Sequence, residues 1–224
     1  MRRSIDELRT FYGEPTGALA RRLVARRLDD AWGEAADCDV LGVGYATPWL
    51  DAFVGARRVV AAMPGGQGVE HWPTVGRNRT LLVDDRRLPF AAGAFDRVLL
   101  VHALEEADDA AGLLTEAVRA LAPAGRIILA AAARGGMWAR AETTPFGHGR
   151  PFTRGQLERL VREVAAAGPE AIAIHCTNFR GAGLAPRLEA DAPGPSSRRS
   201  RSSMFSVMSV ATSSRTGEPK RRRA

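Results

Sequence analysis

The sequence predicts an α/β fold built on a mostly parallel sheet with helices on both faces. Short apolar runs recur at residues 39–43, 58–62, 80–83, 97–101 and 126–132. They are continuous rather than alternating, which is the pattern of strands buried on both faces. Turns and helix-period stretches separate them, as parallel pairing requires, because a crossover must return the chain to the same end of the sheet. A third pointer is Gly42-Val43-Gly44, which directly follows the first run and precedes Thr47-Pro48, a good N-cap and first helical position.

From the N-terminus, Ser4 with Glu7 forms a capping-box pattern ahead of Leu8. Thr16 suits the cap of a second helix carrying Leu19, Leu23, Val24 and Leu28 on one face. Residues 1–33 are therefore expected as N-terminal helices, and 34–177 as the α/β domain. Within that domain the clearest helix spans 109–121. Asp108 or Asp109 caps it, Leu113, Leu114, Ala117, Val118 and Leu121 share a face, and Pro123 with Gly125 ends it. Thr153 caps another, with Leu157, Leu160, Val161 and Val164 inward, closed by Gly168-Pro169 before a strand at 171–176. Beyond Asn178 the alternation stops and Ser, Arg, Pro and Gly dominate, with only 204–210 apolar enough for a strand. Residues 178–224 thus read as a low-complexity basic tail, largely disordered. Lys220 is the only lysine of the chain. That bias toward Arg, Ala and Gly is typical of GC-rich coding DNA, in which a shifted frame also yields Arg/Ser/Pro-rich text.

A chain of 224 residues suits one α/β domain. Its formal charge of +7 is concentrated at one end. Residues 193–224 hold seven arginines and Lys220 against Glu218, so the remainder is neutral. The body gives no charge-based case for nucleic acid. Only the tail does, and Phe205 is its one aromatic residue for base stacking. No apolar run approaches the roughly 18 to 20 residues of a membrane span. Charged residues follow Arg2-Arg3 where a signal peptide carries its apolar stretch. A cytoplasmic protein with no membrane partner is expected. Cys38 and Cys176 read as core thiols rather than a disulfide, and His175 beside Cys176 points to the opposite strand face, poor geometry for a metal.

The glycine loop gains meaning from its neighbours in the chain. Val40-Leu41-Gly42-Val43-Gly44 is followed by Asp84-Asp85-Arg86-Arg87-Leu88-Pro89-Phe90, then Phe95-Asp96-Arg97-Val98-Leu99, then His102-Ala103-Leu104-Glu105. A helix bearing Glu116, Arg119 and Leu121 then runs into Pro123 and Gly125. In this order and spacing, residues 40–129 resemble the class I S-adenosylmethionine-dependent methyltransferases.

That resemblance implies a doubly wound, Rossmann-like, seven-stranded sheet with S-adenosylmethionine at the carboxyl ends of the first strands, where open α/β sheets place ligands. It implies that Gly42 and Gly44, in the loop with Tyr45 and Ala46, meet the amino-acid part of the cofactor. Asp84 would meet the adenine amine, with residues 82–85, including Asp85, flanking the ring. His102 would face the methyl group. Two departures stand out. Ala46 replaces the third loop glycine, and Val59-Val60-Ala61-Ala62-Met63-Pro64 lacks the acid that accepts the ribose hydroxyls. A charged acceptor bond contributes about 1.5 to 3 kcal/mol, or about ten- to a hundred-fold in affinity. Glu70, in the following loop, is a weak candidate to replace that acid.

Methyl transfer from a sulfonium is an in-line displacement, so positioning does much of the work and no metal is needed. His102 is the candidate base for an acceptor that must lose a proton; the alternative is a histidine packed or hydrogen-bonded in the sheet. Between 134 and 152, Gly135-Gly136-Met137-Trp138 and Thr144-Pro145-Phe146-Gly147-His148-Gly149-Arg150 form a long segment. It reads either as a lid bringing Trp138, Phe146, His148 and Arg150 to the substrate or as an ordered surface loop. The expected activity is methyl transfer to a small-molecule acceptor. The alternative is a non-catalytic protein that keeps the fold to bind a ligand or partner.

Overall fold

A computed structural model of the chain describes residues 3–32, 35–134, 145, 149–167, 171–180 and 203–213. It opens with α1 (Ile5–Gly13) and α2 (Pro15–Trp32). The capping box forms: the Ser4 hydroxyl accepts from Glu7 N at 3.3 Å, and the Glu7 carboxylate accepts from Ser4 N at 2.9 Å. α2 starts ahead of the expected cap Thr16, with Pro15 in its first turn, where the missing N–H has no helical partner to lose. Its buried stripe is Gly17, Ala20, Val24, Leu28 and Trp32, leaving Leu19 and Leu23 half-buried at the margin.

Seven strands follow in the order β3-β2-β1-β4-β5-β7-β6. They are β1 (Asp39–Gly44), β2 (Arg58–Pro64), β3 (Thr80–Val83), β4 (Phe95–Val101), β5 (Leu121–Ala132), β6 (Ala171–Arg180) and β7 (Ser203–Ser213). The first five pair in parallel, and β7 inserts antiparallel between β5 and β6. All five apolar runs are strands. β6 runs past the expected boundary at 177, and β7 lies wholly within the expected tail around the 204–210 run. The sheet therefore extends into 178–224, and the rest of that segment falls outside the described residues. Cys38 stands half-buried one residue before β1 rather than within it.

The continuous apolar runs are explained by the two faces. Leu41, Val43, Val98, Leu100, Ile127 and Leu129 pack into one core with α4 (Ala110–Ala120) and α5 (Arg154–Ala167). Val40, Leu99, Val101, Ile128 and Ala130 pack into the other with α1, α2 and α3 (Thr47–Leu50). Asp109 caps α4, accepting from Gly112 N at 2.9 Å, and Thr153 caps α5 with Gln156 reciprocating. The chain passes from β1 outward to β2 and β3, then returns to place β4 on the other side of β1. This reversal opens a crevice at the carboxyl ends of β1 and β4, where ligands of open α/β sheets bind. Among the described residues no helix is long and apolar enough to cross a membrane.

Candidate cofactor and acceptor site

The loop after β1 is shaped by contacts with β4. Gly44 has φ +78°, and a Cβ there would lie 2.4 Å from Val101 O and 2.9 Å from Ala103 Cβ. Tyr45 N donates to Val101 O at 2.8 Å, which pins the turn. A Cβ on Gly42 would lie 2.8 Å from Ala46 Cβ and from Leu50 Cδ1. Ala46, fully buried, therefore occupies space that Gly42 leaves open, which accommodates the first departure from the family pattern. Ala46, not Thr47, is the N-cap of α3. Thr47 instead donates its hydroxyl to Glu70 Oε1 at 2.5 Å.

At the end of β4, His102 adopts φ +48°, a left-handed conformation that non-glycine residues hold at a cost of about 1 to 2 kcal/mol. The surroundings hold it there. Its Nδ1 lies 3.1 Å from Glu105 Oε1 and its Nε2 2.7 Å from Tyr12 Oη, with the ring 1% exposed. A carboxylate only accepts, so Nδ1 carries the proton and Nε2 accepts from the Tyr12 hydroxyl. Burial, and then the Glu105 carboxylate, push the Tyr12 phenol well above its ordinary value, so it stays a donor. Glu105 Oε1 also accepts from Ala132 N at 3.2 Å, tying the β4 turn to β5.

α1 lies across this end of the sheet. Ile5 N donates to Gln67 O at 2.9 Å, and Gln67 Nε2 donates to His102 O at 2.7 Å. The Tyr12 ring stacks on Tyr45 at 5.6 Å and meets Trp49 edge-on at 5.3 Å. Two buried acceptors here, Gln67 Oε1 and Glu105 Oε2, have no hydrogen-bond partner among the described residues. Buried polar atoms are ordinarily paired, so two orphans at the ligand end of a sheet fit a ligand that brings donors.

Glu106 adds a pH-sensitive contact, its carboxylate accepting from Arg3 N at 3.3 Å. Burial first and the adjacent Glu105 second raise its pKa. A carboxyl raised on folding stabilises the fold below its unfolded value, and that contribution is lost as pH climbs through the folded value. Glu106→Gln is therefore expected to be more stable than the parent near neutrality, the gap closing in acid. Urea midpoints at about pH 4 and about pH 8 check this, and a gap that widens in acid would refute it.

Of the expected residues, Gly42, Gly44, Tyr45, Ala46 and His102 come together at the β1–β4 crevice. Asp84 and Asp85 stand at the carboxyl end of edge strand β3, Asp84 exposed with Oδ1 accepting from Arg86 N at 2.9 Å. Arg150 is exposed, and its backbone N donates to Glu105 O at 2.8 Å, which brings this end of the long segment to the His102 turn. Trp138, Phe146 and His148 lie outside the described residues. Tyr12 is a candidate site residue that the sequence marks only by the helical face it shares with Ile5 and Leu8. Gln67 falls in the glycine-rich loop Pro64-Gly65-Gly66-Gln67-Gly68, ahead of His71-Trp72-Pro73, which the sequence offers as a weaker counterpart of the 134–152 segment.

Residues 39–129 match the family model described as a methyltransferase domain. The chain is similar to the demethylmenaquinone methyltransferase of Tropheryma whipplei, strain Twist, at 31% identity over 138 residues, covering 55% of this chain and 58% of that protein. The chain thus spans little more than half the length of this curated relative. Among solved structures, it is similar to an S-adenosylmethionine-dependent methyltransferase of Archaeoglobus fulgidus, with TM-score 0.61, 13% identity and coverage of 86% and 94%. A putative one from Listeria monocytogenes gives TM-score 0.61, 14% identity and coverage of 88% and 100%. These likenesses establish the fold, and the cofactor of the family is S-adenosylmethionine. Residues 39–129 are thus similar to a methyltransferase domain, and the sheet built on them has the fold of the solved S-adenosylmethionine-dependent methyltransferases.

Proposed function

We propose that the chain transfers the methyl group of S-adenosylmethionine to a small-molecule acceptor. The observation that carries this reading is the coincidence of the matched segment with the switch-point crevice and its unpaired acceptors. The residues fit the cofactor, which brings an ammonium, a ribose diol and an adenine amine as donors. Gln67 Oε1 and Glu105 Oε2 are available acceptors, the Gly42-to-Ala46 loop approaches closely, and Asp84 with Asp85 serves the adenine side. When bound, the cofactor supplies an electrophilic methyl on a sulfonium. Glu105 holds the proton on His102 Nδ1, which leaves Nε2 as the basic atom. His102 takes a proton from the acceptor once the Tyr12 hydroxyl moves off Nε2. Arg150, whose backbone N donates to Glu105 O, is the acceptor-side candidate among the described residues, and Trp138, Phe146 and His148 keep that role as candidates from the sequence. The curated relative's printed name, a demethylmenaquinone methyltransferase, supports a small organic acceptor.

Isothermal titration of the full chain with S-adenosylmethionine or S-adenosylhomocysteine tests this. Micromolar binding is expected, abolished by Gly44→Asp and weakened about tenfold by Asp84→Ala, the loss of one hydrogen bond to an exposed carboxylate. No binding at millimolar cofactor would overturn the reading. A second reading, a non-catalytic ligand- or partner-binding protein, is favoured by one observation: both ring nitrogens of His102 are already hydrogen-bonded. Cofactor binding without label transfer to any extract component in a labelled-methyl assay would support it.

A further inference from the structure

We propose that Glu70, from the loop after β2, is the carboxylate that accepts the ribose hydroxyls of S-adenosylmethionine in place of the acid missing from the end of β2. The proposal rests on the cofactor reading above. β2 ends in Ala61-Ala62-Met63-Pro64, all buried, with nothing that can accept from a diol. The chain then doubles back. Gln67 N donates to Pro64 O at 2.9 Å, and Gly68 takes φ +94°, which glycine adopts without strain. This turn returns Glu70 to the strand it left, and Glu70 N lies 3.4 Å from Met63 Sδ. A residue seven positions away in sequence thus packs against the Met63 side chain, on the face of the sheet that α1 and α2 cover.

Two further bonds fix the position. Thr80, the first residue of β3, donates its hydroxyl to Glu70 O at 2.6 Å, and Thr47 holds Glu70 Oε1. The Glu70 backbone is therefore held between Met63 of β2 and the amino end of β3, and Thr47, in the first turn of α3, fixes its carboxylate. Glu70 Oε2 has no partner among the described residues, and Glu70 lines, with Asp6, Arg9, Gln67 and His71, a half-open groove of about 390 Å³ between the start of α1 and the loop after β2. That volume lies within the range of small-molecule sites. A vicinal diol offers two O–H donors, and a carboxylate with one oxygen already bonded to Thr47 retains lone pairs on both oxygens to receive them. The second departure from the family pattern is thus a relocation of the acceptor.

The test is isothermal titration of the full chain with S-adenosylhomocysteine and with its 2′,3′-dideoxy analogue. The parent is expected to bind the dideoxy analogue about 10- to 100-fold more weakly, the loss of charge-assisted bonds. Glu70→Gln is expected to weaken S-adenosylhomocysteine by a similar factor and to shrink the dideoxy penalty to less than about threefold, the signature of coupled groups. Glu70→Gln keeps an acceptor for Thr47, so its melting temperature should match the parent's. Glu70→Asp, which keeps the charge on a shorter arm, is expected to bind between the two. If the parent binds and Glu70→Gln binds equally well with an undiminished dideoxy penalty, Glu70 is not the ribose acceptor and the cofactor reading stands. If the parent fails to bind at millimolar ligand, both readings fall.

Discussion

Gly44→Ala is expected to destabilise the fold by about 2 to 5 kcal/mol, measured by urea denaturation without cofactor. Two costs add. A non-glycine residue at φ +78° costs about 1 to 2 kcal/mol, because its Cβ crowds the neighbouring backbone. The new methyl would also press on Val101 O at 2.4 Å, a backbone atom fixed in β4 and already accepting from Tyr45 N. Relieving such a contact means shifting strand or loop, an overpacking cost of about 1 to 3 kcal/mol. Gly42→Ala is the internal comparison. It has no left-handed backbone, and its methyl would meet side chains, Ala46 Cβ and Leu50 Cδ1, that have more room to adjust. It should cost about 1 to 3 kcal/mol. A Gly44→Ala variant as stable as the parent, or more stable than Gly42→Ala, would show that close packing does not require glycine at 44. The measurement also separates two roles that the family pattern merges, since a packing cost appears with no ligand and a binding cost does not.

The sheet was legible because buried parallel strands are apolar on both faces, and the runs at 39–43 and 97–101 show that directly. Each boundary error has a local cause. Thr47 looked like a helix cap because its position after the glycines suits one, but its hydroxyl is committed to Glu70, a partner that no local pattern reveals. Pro123 and Gly125 were read as a helix stop. They do follow α4, but they lie inside the irregular opening of β5, where Ala124 takes φ +63° and the register with β4 shifts. β7 was only partly legible because its flanks are polar and its position depends on pairing with β5, far away in sequence.

The site was half legible for a similar reason. Gly42, Gly44, Ala46 and His102 sit at the ends of strands that the pattern locates, so their convergence follows from the topology. Tyr12, Gln67 and Glu70 reach the same place from a helix and a loop, and only tertiary structure can bring them there. Glu70 is only a weak replacement in the sequence, because the turn at Gly68 that brings it back to the Met63 side chain is set by tertiary contacts. On the proposal above, the motif that is incomplete in the sequence has one member supplied from that loop.

The aromatic cluster that carries α1 over the site gives the other large effect. Trp49→Ala is expected to cost about 3 to 5 kcal/mol, the usual loss for emptying a buried aromatic position. Trp49 is 2% exposed, donates Nε1–H to Arg21 O at 3.0 Å, and meets the Tyr12 ring edge-on. It therefore joins α3, just beyond the glycine loop, to both N-terminal helices. Its removal opens a cavity beside Tyr12, so the loss should exceed that of Trp49→Phe, which keeps a ring and, like the alanine, forfeits the one hydrogen bond to Arg21 O, about 1 kcal/mol. The consequence reaches His102 through a single contact, because the Tyr12 hydroxyl that Trp49 helps to position is the donor to Nε2. Hydrogen exchange should accordingly quicken first in α1 and in the 67–70 loop, with β4 and β5 holding their protection. Uniform loss of protection across the sheet would mean that Trp49 supports the whole core, and α1 could then no longer be regarded as a separately held cover over the crevice.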